Sequence, residues 1–398
     1  MMSRQSGQLP LPPSVNCPIG QRAGQLFAYV TATEGRTPPG ASLLADRIER
    51  YLHNQPFWGM RSTRKPATEA ELSETFGVGR RLVRQSSRLL QQRGVIKARR
   101  GGGGAGGLKL SVPEPMQVAS ALVDTVRHEI GGRAVQDARS FLLPLASQYQ
   151  GAVGQLLRGT IACLDSTSGA STAAEPSGNR AVRLADELCK RIAERASTSG
   201  DIYLGSLDSI SVQYGTSLEI TVEAIRLLED RQQVALRRGR GGGVYSAAGS
   251  VAQVAHMANA FFAGEGVATE ECDAILRAVN VEMINLACKR ATPAAIERMH
   301  DALHAMSQAR NATQLGISWY PLQRELATAA DSPLLHIVAQ CLAASLLLRR
   351  LHTAELPDAG ARELLDASQT IAGNVARGKV TGNREAHWRC QDVLVRHW

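Results

Sequence analysis

A chain of 398 residues is long enough for two to four domains with cores of their own, and its 20% charged and 4% aromatic residues suit helical bundles better than sandwiches or barrels. No run reaches the apolar length of a membrane span, and the N-terminus lacks the basic head, apolar stretch and cleavage site of a secretory leader, so a soluble, cytoplasmic chain without membrane partners is expected. Seven cysteines without a Cys-x-x-Cys pair indicate neither a disulfide framework nor a zinc knuckle, and the net charge of +9 needs to be located before it means anything.

Residues 1–40, rich in Pro, Gly, Ser and Thr without helical period, read as a disordered, mobile arm. In residues 41–112, Leu44, Ile48 and Leu52 share one face of a short helix, and Thr68 caps a second helix with Glu69 and Glu71 in its first turn. Gly77 makes a turn. A third helix then starts at Val78 or Gly79, turning Leu82, Val83, Leu89 and Leu90 inward and Arg80, Arg81, Arg84 and Arg88 outward. Val95 to Arg100 and the glycines from Gly101 to Gly104 read as a basic hairpin.

Residues 113–165 carry helical period around Met116–Leu122 and Asp137–Leu142, which predicts two or three helices, and 166–179 form a low-complexity linker. Residues 180–248 then repeat the first unit. Leu184-Ala185-Asp186 echoes Leu44-Ala45-Asp46, Tyr214-Gly215 echoes Phe76-Gly77, and Val234 to Arg240 with its glycines echoes the hairpin. From 249 to 398 the chain reads as about six helices, with breaks near Gly264-Glu265-Gly266, Thr292-Pro293, Gly316, Ser332-Pro333, Leu356-Pro357 and Gly378.

Helices about a tight turn followed by a Gly-rich basic hairpin are the pattern of a winged helix-turn-helix. The expected fold is therefore mainly α: two winged helix-turn-helix modules with small β-wings, and an all-helical bundle. The charge is uneven. Residues 41–112 hold 14 Lys and Arg against 5 Asp and Glu, whereas 180–248 hold 10 against 9, so the basic surplus lies on the first module, as on a surface that meets a polyanion. Arginines at the start of a helix suit the major groove of double-stranded DNA, where a guanidinium pairs with guanine while its neighbours hold phosphates. Arg80, Arg81, Arg84 and Arg88, with Lys97, Arg99, Arg100 and Gly101 of the wing, are the candidate contacts. In the second module Leu218, Glu219 and Val222 stand where Arg80, Arg81 and Arg84 stand in the first. That module is either structural or dimer-forming, or touches the DNA backbone through Arg237, Arg238 and Arg240 of its wing.

These segments resemble the winged-helix domain of the GntR family of bacterial transcription regulators. Its Ser-Glu-Arg-Glu-Leu-Ala, Gly-Val-Ser-Arg and Val-Arg-Glu-Ala-Leu pattern is matched by Thr68-Glu69-Ala70-Glu71-Leu72-Ser73, Gly77-Val78-Gly79-Arg80 and Val83-Arg84-Gln85-Ser86-Ser87. The resemblance implies DNA contacts at Arg80 and Arg84 and in the Thr68 segment. Ala70 replaces an arginine of the family, leaving Arg64 or Lys65 to supply a phosphate contact. The helix around Asp273–Met283 and Leu286–Thr292 resembles the opening of the FCD effector domain of the FadR subfamily, and residues 138–146 echo it as a truncated copy.

Many FCD domains hold a divalent metal with one Asp and three His. Registered on that pattern, the positions fall here on Trp319, Gln323, Ser368 and Cys390, so neither metal nor cofactor is expected. His300 and His304, four apart on one helix, form a pair too small for a site. Arg277, Trp319, Gln323 and Arg324, with Tyr320, are candidate contacts for an organic acid or acyl effector, Trp319 serving otherwise to pack the bundle. There is no nucleophile-base motif, and the glycine runs lack a phosphate-loop ending, so an enzyme is not expected. Two functions stand: a homodimeric repressor of a DNA operator, nucleoid-associated and answering a metabolite, or an architectural or partner-docking DNA protein without ligand control.

Overall fold

The computed structural model describes residues 30, 44–45, 47–49, 68–92, 94–99, 107–126, 130–166, 180–195, 202–230, 233–237, 242–246, 251–349 and 356–397. Helical residues 44–45 and 47–49 open the first unit, followed by α1 (Glu69–Phe76), α2 (Arg80–Gln92) and the antiparallel hairpin of β1 (Ile96–Arg99) and β2 (Gly107–Leu110). The Thr68 hydroxyl accepts from the Glu71 N–H at 3.1 Å, and the Glu71 carboxylate accepts from the Thr68 N–H at 2.8 Å. This reciprocal cap satisfies N–H groups that have no partner within the helix. Gly77 closes α1 at φ 62°, a conformation that penalises any Cβ, and α2 starts at Arg80, later than expected.

Helices α3 (Pro115–Val126), α4 (Gly132–Gln148) and α5 (Ala152–Ser166) come next, then α6 (Arg180–Arg195), β3 (Tyr203–Gly205), α7 (Leu207–Gln213), α8 (Leu218–Asp230), β4 (Val234–Arg237) and β5 (Gly243–Ser246). The second unit reproduces the first in its hydrogen bonds. Ser206 caps α7 through the Ser209 N–H, as Thr68 caps α1. The Ser73 hydroxyl donates to the Val78 carbonyl at 2.5 Å and the Ser211 hydroxyl to the Thr216 carbonyl at 2.6 Å. Gly215 adopts φ 57°, and α2 and α8 are both 13 residues long, so Arg80 corresponds to Leu218 and Arg84 to Val222. The second unit adds β3 to its hairpin, giving a three-stranded sheet in the order β3-β5-β4.

The chain ends in α9 (Val251–Gly264), α10 (Thr269–Arg290), α11 (Pro293–Ser307), α12 (Ala312–Ala330), α13 (Pro333–Arg349), α14 (Asp358–Ala376) and α15 (Asn383–His397). One expected break moves: Gly316 lies inside α12, and the interruption falls before it, where the Asn311 side chain accepts from the Gln314 N–H at 2.8 Å. A lone glycine costs a helix about 1 kcal/mol, which the packing of a long helix outweighs. Helices α3–α5 and α9–α15 share one continuous core, with Phe261, Ile275, Trp319, Leu334 and Ile371 among its buried residues. A second cluster joins the apolar residues of both winged units with Ala260 of α9. Among the described residues no helix is long and apolar enough to cross a membrane.

Candidate nucleic-acid interface and ligand cavity

The first winged unit presents Arg80, Arg81, Arg84 and Arg88 as exposed side chains along α2, while Val83, Ser87 and Leu90 of the same helix are buried. This amphipathic split leaves cationic groups at the end of α2 that follows the Gly77 turn. Two of the arginines are engaged. Arg84 Nε donates to Glu69 Oε2 at 3.2 Å, with its side chain 61% exposed, and Arg88 Nη1 lies 2.5 Å from Glu223 Oε2 of α8. Lys97 is exposed on β1, and the backbone of Arg99 pairs with that of Gly107. Thr68 spends its hydroxyl on the cap of α1. Arg64, Lys65, Arg100 and Gly101 lie outside the described residues, as do Arg238 and Arg240 and all of residues 1–40 except Val30.

In the second unit the corresponding surface is apolar and acidic. Leu218 is 47% exposed, Val212 on α7 is 83% exposed, and Glu219 is exposed beside them. On the wing, the Arg237 guanidinium stacks 4.2 Å over the Tyr245 ring.

The helical core carries a half-open cavity of about 90 Å³ lined by Trp319, Gln323 and Arg324 of α12, with His336 and Gln340 of α13 and Gln391 of α15 among its other walls. Three of the four expected effector contacts are thus brought together. Arg277 is not. It sits on α10 with Nε 2.7 Å from Asp273 Oδ2 and Nη2 2.8 Å from Asp392 Oδ1, and burial, which would lower its pKa, is outweighed by these two carboxylates, which raise it. A guanidinium so paired has little left for a ligand.

Sequence reasoning missed two histidines here. Burial and the nearby Arg324 push the His336 pKa down to about 4. His387, its ring centroid 6.3 Å from that of Trp319, is pushed down to about 3 by burial and by Arg277. Both of its ring nitrogens and Gln323 Nε2 are buried without a hydrogen-bond partner, which is costly and uncommon. His387 stands one helical turn before Cys390, the position registered on the last family histidine, so a slip of three residues would have found it. The Val30 carbonyl accepts from Gln340 Nε2 at 2.8 Å and Val30 also lines the cavity, so the mobile arm expected over 1–40 is anchored at this residue.

Ser368 Oγ lies 3.9 Å from Cys390 Sγ, so two of the four registered metal positions are neighbours. Among the described residues no group of three or more His, Cys, Asp or Glu is placed to hold a metal ion, and His300 and His304 are both exposed.

No protein-family profile matches the chain, and no curated protein matches it. Among solved structures the chain is similar to a GntR protein of Streptococcus agalactiae, at 15% identity and a TM-score of 0.36, over 54% of this chain and 99% of that one.

Proposed function

We propose that this chain is a sequence-specific DNA-binding transcription regulator of GntR type, of the FadR subfamily with an FCD-like helical part, acting as a cytoplasmic, non-enzymatic repressor. The observation that carries the reading is the exposed cluster of Arg80, Arg81 and Arg84 at the start of a helix that follows a tight turn. Guanidinium groups in this position reach guanine edges and phosphates when the helix enters the major groove. A homodimer places two such helices on the half-sites of a palindrome and multiplies two modest affinities. The cavity beside Trp319, Gln323 and Arg324 is the effector site of this reading. At about 90 Å³ it is far smaller than the pockets of drug-sized ligands, so it suits a small organic acid better than an acyl chain.

Selection of bound sequences from a random duplex pool tests the function. The reading predicts enrichment of one short palindromic motif, with each base change costing about 1–3 kcal/mol. Sequence-tolerant coating of any duplex contradicts it. A partner-docking role is favoured by one observation, the exposure of Val212 and Leu218 on the second unit, and fits the case in which no motif is enriched.

A further inference from the structure

The third helix of each winged unit buries a wider arc than a single amphipathic stripe. In α2, Val83, Ser87 and Leu90 recur at helical spacing, and Ser86 and Leu89, about 100° further round, are buried as well. Helix α8 repeats the arc with Thr221, Ile225 and Leu228, then Ala224 and Leu227. The buried apolar residues of both units belong to one cluster. At its rim the Arg88 and Glu223 side chains, 49% and 25% exposed, form the ion pair that links α2 to α8.

The pair is specific to this combination of copies. Glu223 occupies in α8 the position that Gln85 holds in α2, and Arg226 the position of Arg88; Gln85 and Arg226 are both half-buried. The same geometry between two α2 helices of different chains would set Arg88 against a neutral Gln85. Charge therefore selects an α8 rather than a second α2 as the neighbour of α2, and within this chain that neighbour is its own α8, in the way that complementary charges fix partner and register at interfaces.

We propose that the second winged unit is a built-in, non-reading partner of the first: α8 docks beside α2 through Glu223, Arg88 is a docking residue, and one chain offers a single DNA-reading helix. The proposal rests on the reading of α2 as the DNA-contacting helix. A phosphate would have to displace Glu223 to reach Arg88, whereas Arg80 and Arg81 lie clear of that pair, toward the start of α2. A homodimer of such chains carries two reading helices, although it contains four winged units.

The test uses the full chain with Arg88→Glu, Glu223→Arg, both reversals together, Arg88→Ala and Arg84→Ala. Urea unfolding reports the docking contact. Each single reversal lowers the midpoint and the double reversal restores it, because the pair is re-formed with its charges exchanged. Fluorescence anisotropy on a mixed-sequence duplex of about 30 base pairs, over a series of salt concentrations, reports phosphate contacts. Arg88→Ala keeps the wild-type slope of log affinity against log salt, and Arg84→Ala lowers it by about one. Failure of the double reversal to recover, or loss of about one unit of slope in Arg88→Ala, overturns the docking role while Arg84→Ala still responds. A slope unchanged in Arg84→Ala removes the DNA-reading assignment of α2, and the proposal falls with it.

Discussion

His256 Nδ1 of α9 lies 3.1 Å from Glu49 Oε2 in the opening helical segment of the first winged unit, and the two side chains are only 6% and 2% exposed. This buried contact places the first unit directly against α9 of the helical core. Helix α9 is tied in turn to α13, where the Ser345 hydroxyl donates to Asn259 Oδ1 at 3.2 Å, and α13 supplies His336 and Gln340 to the cavity wall. Contacts thus link α13, which lines the cavity, to α9, and α9 to the first unit.

Glu49→Ala removes the carboxylate that faces His256 and leaves the imidazole in a buried site without it. The expected loss is about 1–3 kcal/mol of stability, read as a lower urea midpoint with the slope of the transition unchanged. An unaltered midpoint would mean that the contact contributes nothing.

Glu69 competes with DNA for Arg84. Because the Arg84 side chain is well exposed, the pair is worth at most about 1 kcal/mol, and Glu69→Gln should raise duplex affinity by up to about five-fold. Anisotropy titration checks this, and a weaker complex would show that Glu69 orients Arg84 rather than withholding it.

The local grammar of the fold was legible in the residues. Thr68, Gly77 and Gly215 mark a cap and two turns whose chemistry acts within five residues, and the breaks at Thr292-Pro293 and Ser332-Pro333 follow from the same short-range rules. What escaped depends on distant partners. Nothing near Arg88 announces Glu223, and nothing near Glu49 announces His256, because both pairings join segments far apart in the chain. Three effector candidates came together because α12 carries them all within six residues, whereas Arg277, on α10, found two carboxylates first. The missed histidines reached the cavity region from α13 and α15, which only packing could reveal.

Stability should fall in acid through His336 and His387. Their folded pKa values, about 4 and about 3, lie below the ordinary 6.5, so the unfolded chain takes up protons first as pH falls. The stability is fully present above about pH 6.5 and is lost toward pH 4 and below, at up to about 1.4 kcal/mol per pH unit for each histidine. Urea midpoints at about pH 7.5, 6 and 5 should decline less steeply in a His336→Asn/His387→Asn variant than in the wild type. Equal slopes would contradict neutral burial of the two rings.

Purified protein should hold less than one tightly bound metal per chain, and chelators should leave duplex binding unchanged. Burial pushes the Cys390 thiol up to about 12, and its neighbour Ser368 is a weak neutral donor, so this pair offers a divalent cation little. Stoichiometric zinc or nickel, lost on His300→Ala or His304→Ala, would restore metal-dependent sensing.

The central claim, that DNA recognition is concentrated on the first winged unit, is tested most directly by anisotropy titration of Arg84→Ala and Val222→Ala on the selected duplex. These substitutions sit at equivalent positions of α2 and α8. The account predicts that Arg84→Ala costs about 1–3 kcal/mol and relaxes base preference, whereas Val222→Ala leaves affinity nearly unchanged. Equal losses in the two variants would contradict it.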